Sequence, residues 1–285
     1  MPYLHGVYIN EDQTPIIAPL QCDSAIQVVI GAAPVNMALD IPAAVNRPVL
    51  VNSFTEAVKR VGYSDDFSKY TICQSVDASF RLFNVAPMVL INVLDPEKHM
   101  SSAADQDYAL CNRRLTVFQD GVMLDTVEVK GDGTELKSGI DFSTTFDDGG
   151  NLVIFTEDDY DFLNVSYSYL DPALVTELDI IGGYSASTGV YKGLELIDQI
   201  YPRLGIVPGQ ILAPGWSFIP AVNAVITSKL TNINMSFKCM GVSDINTNEA
   251  NTYDKVLEWK NANGYVNENL EICWPKTQVG EKVYF

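Results

Sequence analysis

The chain has 285 residues, 47% of them apolar, with a mean hydropathy of +0.06, enough to bury one large core or two modest ones. Its 36 acidic and 18 basic residues leave a net charge of −18, which repels phosphate backbones and argues against a nucleic-acid partner. No run of about 18 apolar residues occurs, and the opening MPYLHGVYINEDQTP carries Glu11 and Asp12 where a secretory signal needs an apolar segment, so neither membrane insertion nor export is expected.

Residues 1–20 read as an N-terminal arm. Val7, Tyr8 and Ile9 suit a short strand, and Pro2, Pro15 and Pro19 keep the rest from being helical. A strand with so little local support has to pair elsewhere in the fold or on another subunit. AIQVVI at 25–30 reads as a buried strand ended by Gly31, and Pro48–Val51 as another. Ser53 with Glu56 three residues on is a capping-box signal, and Phe54, Ala57, Val58 and Val61 share the face of the helix that follows, up to Gly62. A second helix should present Ile72, Val76, Phe80 and Phe83, and MVLINVL at 88–94 is a further buried strand. Apolar strands flanking helices favour a parallel sheet covered on both faces, the first part of an α/β core over 21–110.

The pattern changes over 111–172. Leu115–Phe118 and Met123–Val129 flank Asp120-Gly121, which predicts a hairpin, and Leu152–Phe155 follows the Asp148-Gly149-Gly150 turn. FLNVSYSYL at 162–170 alternates apolar or aromatic with polar residues. These features describe a small antiparallel β domain inserted into the α/β core.

The core resumes over 173–285. Its expected elements are a strand at Leu178–Ile181, a helix from Gly189 to Tyr201 burying Leu194, Ile197 and Ile200, and a strand at Gln210–Ala213. A helix from Pro220 then buries Val222, Val225, Ile226 and Leu230. A strand at Phe237–Val242, a helix at Glu249–Lys260 and a strand at Leu270–Trp274 complete the reading.

Chemistry is sparse. The cysteines Cys22, Cys73, Cys111, Cys239 and Cys273 are scattered and form no CxxC, as suits reduced thiols. His5 and His99 are the only histidines. Gly215-Trp216-Ser217 is not a nucleophile elbow, because Ile219 stands where Gly-x-Ser-x-Gly needs its second glycine. Asp147-Asp148 lacks the alternating ligands and terminal glutamate of an EF-hand loop, and both it and Glu157-Asp158-Asp159 with Asp161 read as solvated turns of the β domain. No phosphate-binding glycine motif is present, so the Gly182-Gly183 and 205–215 glycines read as turn formers. Trp216, Trp259 and Trp274 sit in apolar segments and read as core residues. No catalytic residue, metal site or cofactor is expected.

Three blocks carry a resemblance. VNRPVLVNSFTEAVKRVGYSDDFSKYT at 45–71 is similar to a block found in the contractile tail sheath proteins of phages and phage-like particles. LDIIGGYSASTGVYKGLELIDQIYPRLGIVPGQILAPGWSFIPAV at 178–222 resembles a second, and WKNANGYVNENLEICWP at 259–275 a third. The resemblance implies a subtilisin-like core with a mostly parallel sheet, used as a scaffold, and an inserted β-sandwich domain. It implies helical polymerisation around a tail tube, with strands exchanged between neighbouring subunits, for which Val7, Tyr8 and Ile9 match the N-terminal strand. The implied partners are other sheath subunits, the tail tube protein, and baseplate and tail terminator proteins. The implied location is a virion tail assembled in the bacterial host cytoplasm. Members of the family continue past a segment like 272–285 into a C-terminal domain, so this sequence is expected to lack that domain. Read from residues alone, a non-catalytic surface module that recognises sugars or proteins through the β insertion is the competing function.

Overall fold

Gln27–Gly31 forms β1, a nearly fully buried strand in the middle of a six-stranded sheet ordered β15-β14-β13-β1-β3-β2, its members introduced below. The computed structural model describes residues 26–187 and 189–285, so the expected strand at Val7, Tyr8 and Ile9 lies outside the described residues. After β1, Asp40 caps a short helix α1 (Ile41–Ala44) by accepting the Ala43 N–H, and β2 (Pro48–Val51) follows. Helix α2 (Phe54–Val61) starts where Ser53 Oγ accepts the Glu56 N–H at 3.2 Å. The returning bond from Glu56 reaches one residue further back than a capping box requires, to the Asn52 N–H at 2.9 Å.

Helix α3 (Thr71–Val76) continues as a π-helical stretch, Asp77–Leu82, in which the Phe83 N–H bonds Ala78 O. The wider turn rotates the helix face. Ile72 and Val76 are buried, whereas Phe83, expected on the same face, is 73% exposed. The fully buried strand β3 (Met88–Asn92) then pairs parallel with β1 but antiparallel with β2. Direction therefore differs from the parallel expectation for β2 and β3. Two helical segments separate them, which gives three chain reversals in place of the two made by a single crossover.

Seven strands follow: β4 (Met100–Ala109), β5 (Arg114–Val117), β6 (Glu128–Gly131), β7 (Thr134–Glu135), β8 (Phe142–Phe146), β9 (Leu152–Thr156) and β10 (Phe162–Leu170). They form two antiparallel sheets, β4-β10-β6-β7 and β5-β9-β8. Leu115, Phe142 and Ile154 from one sheet meet Val129, Leu163 and Val165 from the other in a shared core, separate from that of the larger sheet. The Asp120-Gly121 hairpin is not formed. β5 pairs with β9 and β6 with β10, so the strands either side of that turn belong to different sheets.

The remainder differs from expectation at two places. Leu178–Ile181 lies in a helix, α4 (Glu177–Ile181), because Asp179 Oδ2 accepts both the N–H and the hydroxyl of Thr176, at 2.9 and 2.8 Å, and so closes a helical turn. The expected helix from Gly189 begins as a hairpin of β11 (Gly183–Ser185) and β12 (Val190–Lys192). A 3-10 segment, Gly193–Gln199, and helix α5 (Ile200–Leu204) follow, with Leu194, Ile197 and Ile200 buried as their spacing predicts. Gly182 permits the close approach of the two arms: a Cβ there would lie 1.9 Å from the Lys192 carbonyl oxygen.

β13 (Gln210–Leu212), α6 (Pro220–Lys229), β14 (Met240–Asp244), α7 (Tyr253–Ala262) and β15 (Leu270–Cys273) complete the sheet, β14 and α7 each beginning a few residues later than predicted. A final hairpin pairs β16 (Thr277–Val279) with β17 (Lys282–Tyr284). β15, β14, β13, β1 and β3 run parallel, with β2 antiparallel at one edge. On one face α6 seals the sheet, with the Ser243 hydroxyl donating to Asn223 Oδ1. On the other, α3 packs over β1 so closely that a Cβ on Gly31 would lie 2.3 Å from Thr71 Oγ1. Cover on that face thins toward β15. Along the paired row Val29, Leu212, Val242 and Glu271, the residues pass from buried through half-buried to exposed. No helix of the described residues is long and apolar enough to cross a membrane.

Candidate functional site

Two places hold side chains of the types that catalysis uses, and each is engaged in holding the fold. At the end of β14, Ser217 Oγ donates to Asp244 Oδ2 at 2.8 Å and accepts the Asp244 N–H at 2.9 Å. Ser217 is 1% exposed, and its carbonyl accepts the Tyr265 hydroxyl at 2.8 Å. Burial raises the Asp244 carboxyl above the usual carboxylate range. A nucleophilic serine needs an adjacent general base and access to substrate, and Ser217 is buried with its oxygen bonded twice to Asp244.

His99 sits at the second place. Its Nδ1 accepts the Asp95 N–H at 2.9 Å and its Nε2 lies 3.4 Å from Asp179 Oδ2. Burial pushes the Asp179 carboxyl up, but bonds from Lys98 and Thr176 outweigh it and hold the group at about 2. This cluster fastens α4 to the loop after β3. Ser217 and His99 are therefore held by different partners, and the fold does not assemble them into one constellation.

The other polar clusters are turns. Asp147 Oδ1 accepts the N–H groups of Gly149 and Asn151, both at 2.9 Å, and Asp159 takes a two-pronged contact from Arg113 at 3.0 and 3.1 Å. Among the described residues no three His, Cys, Asp or Glu side chains converge as metal ligands. Trp259 and Trp274 pack in or against the main core and donate to Glu249 Oε2 and Ala250 O. Trp216, also placed in the core by sequence, is half-buried and lines a cavity of about 510 Å³ with Phe218, Asp244, Asn246 and Phe285, at the C-terminal ends of β13–β15.

The structure also presents open sheet edges and exposed apolar side chains. β15 is an edge strand: no described strand pairs with its outer side, and Glu271 and Cys273 are exposed. Its preceding helix α7 turns Tyr253 and Leu257 outward, 76% and 63% exposed, one turn apart on the same side. β4 is the edge of the inserted four-stranded sheet, and it carries Asp105 and Asp107, charges of the kind that discourage strand addition. The α7–β15 side was not singled out from sequence. The outward Tyr253–Leu257 pair at helical spacing is the signal that marks it.

The tail sheath protein of Burkholderia phage BcepMu is 24% identical over 287 aligned residues, which take in 97% of this chain. The chain is similar to a phage tail sheath protein. The similarity spans the α/β core and the inserted strands together, and it covers 56% of the sheath relative's own length. No protein-family model matches the chain.

Proposed function

We propose that this chain is a structural subunit of a contractile phage tail sheath. The observation that carries the reading is the similarity to a tail sheath protein along 97% of the chain. On this reading copies polymerise helically around a tail tube, since a heterologous contact that does not close generates a helix. Contraction is a collective rigid-body rearrangement of the subunits that drives the tube through a target envelope. The α/β sheet is the subtilisin-like scaffold that the resemblance implies, and the inserted strands are a β-sandwich carried outside it. Other sheath subunits, the tube protein and the baseplate and terminator proteins are its partners, in a tail assembled in the host cytoplasm. Strand donation by Val7, Tyr8 and Ile9 to a neighbour is part of the same proposal, and the edge of β15, with which no described strand pairs, is a surface of the right kind to accept a strand.

Immunogold electron microscopy of tailed particles from the producing culture, with antibody raised against this chain, tests the reading. Label distributed along the whole tail is expected. Label confined to fibres or to cell surfaces, or absent from tails, would overturn it and favour a surface-recognition role.

A further inference from the structure

Seven described residues other than glycine have left-handed backbone, with positive φ. That conformation presses Cβ toward the following carbonyl oxygen, and Asn and Asp bear it best. Five of the seven are Asn or Asp, which leaves Arg113 and Met235 to be explained. Arg113 is held by its side chain, which makes the two-pronged contact with Asp159 and donates to the Glu157 carbonyl at 2.8 Å. Met235 has no comparable anchor. Its φ is 60°, and its side chain is 91% exposed, the highest value for a large apolar residue among the described residues.

The turn that carries Met235 is firmly built. The Ser236 and Phe237 N–H groups both donate to Ile233 O, at 3.1 and 2.9 Å, and the Asn234 N–H donates to Asp198 Oδ1 at 3.2 Å. Ile233 is fully buried, and the ring centre of Phe237 lies 5.3 Å from that of Tyr201. Glycine at 235 would remove both the backbone cost and the exposed apolar surface. A fixed turn that presents methionine to solvent regains that cost only where the side chain is buried in a second molecule.

A hollow suited to such a side chain lies elsewhere on the same surface. About 270 Å³ separates α1 from α2, lined by Leu39, Asp40, Ala43, Glu56, Lys59 and Arg60. Four of these six residues are charged, yet the walls are mostly carbon, because the long side chains present their hydrocarbon stems. Leu39, 81% exposed, is fixed by its N–H to the Lys59 carbonyl at 3.0 Å. Met235 sits in the loop entering β14, at the amino ends of the parallel strands, whereas the hollow sits between the carboxyl end of β1 and the far edge strand β2. Knob and hollow thus occupy opposite corners of the sheet, and a twofold axis cannot reciprocate a contact between them.

We infer that Met235 is an assembly knob that enters the Leu39 hollow of a second copy of this chain. The inference deepens the sheath reading, on which the choice of a second copy as partner rests. A contact of this kind is heterologous, as a helical array requires. Methionine suits the role because its unbranched thioether adapts to a hollow walled by long, movable side chains.

Crosslinking beside the knob tests the contact and leaves the knob in place. Chains carrying Ser236→Cys and chains carrying Lys59→Cys are supplied together to the culture that makes tails, and the purified tails are treated with a short bismaleimide. A bridge joining positions 59 and 236 of different copies is expected, mapped by mass spectrometry to separate it from bridges to native cysteines. Chains that enter tails without that bridge end the inference and leave the sheath reading standing. Chains that never enter tails end the sheath reading, and the same mixture treated in concentrated solution then decides the contact: a 59–236 bridge keeps it, and none ends it. Met235→Gly gives a second readout. Relief of the left-handed backbone should raise the folding constant of the isolated chain about two- to fivefold. Its incorporation into tails, in competition with the unsubstituted chain, should fall about tenfold, as the loss of one buried methionine predicts. A fall in the folding constant would show that Met235 packs within its own subunit and would end the inference.

Discussion

Asp77 gathers donors from three parts of the chain. Its carboxylate, 4% exposed, accepts from Tyr63 and Arg81 as well as from Lys282 and Tyr284. Burial raises its pKa, but the bonds from Tyr284, Tyr63 and Lys282 lower it more, so it titrates below the ordinary carboxylate value. Its contribution to stability is therefore complete above about pH 4 and is lost as the pH falls through the depressed value. Urea midpoints measured from pH 6 to pH 2 should fall over the acid end for the unsubstituted chain. Asp77→Asn should flatten its share of that fall. Asp77→Ala leaves Lys282 and Tyr63 bonded to Asp65 but takes the partner of the Tyr284 hydroxyl, and is expected to destabilise by about 1–2 kcal/mol at pH 7. Loss of under about 0.5 kcal/mol would mean that water replaces the carboxylate at no cost. The exposed Arg113–Asp159 pair serves as a control, because removing either side chain should leave the midpoint where it is.

At the scale of elements, α4 shows how one side chain decides between helix and strand. LDII at 178–181 is as good a strand as a helix by apolar content. Asp179 settles the matter by binding Thr176 at its N–H and its hydroxyl while it also meets Lys98 and His99. Asp179→Ala should therefore cost about 1–2 kcal/mol, the scale of a lost cap. It should speed amide exchange specifically at 177–181, a local effect that mass spectrometry of peptic fragments resolves. Unchanged exchange there would assign the helix to packing of Ile180 alone. The same contrast explains what could be read in advance. Ser53, Gly62, Pro220 and the buried positions Ile72, Leu194, Ile197 and Val222 announce themselves through local spacing. Strand direction between β2 and β3, the separation of β5 from β6, and the pairing of β11 with β12 are set by partners far along the chain or by chain reversals, which periodicity does not encode. The π-helical turn that exposes Phe83 leaves no periodic signature either. Of the candidate site, the resemblance named the arm at Val7–Ile9, whereas the β15 edge and the Asp77 node emerge only when separate segments meet.

At the scale of the whole molecule, the sheath reading proposed above needs a surface on which copies meet. Net charge of −18 opposes the association of copies, so a specific contact has to come from local apolar surface set against that repulsion. The α7–β15 side offers it: Tyr253 and Leu257 project one turn apart from a helix that leads into a strand edge with which no described strand pairs. Both side chains are largely in solvent, so Tyr253→Glu and Leu257→Glu should each change the stability of the isolated chain by no more than about 0.5 kcal/mol. If copies meet through this side, the double substitution removes incorporation into tails when supplied alongside the unsubstituted protein, by burying two carboxylates in an apolar contact. Charge added to the already acidic β4 edge, by Ser102→Glu, should leave incorporation unchanged. Equal incorporation of both variants would place the α7–β15 side on the solvent face of the assembly, and subunit contact would then have to be sought on the opposite edge at β2.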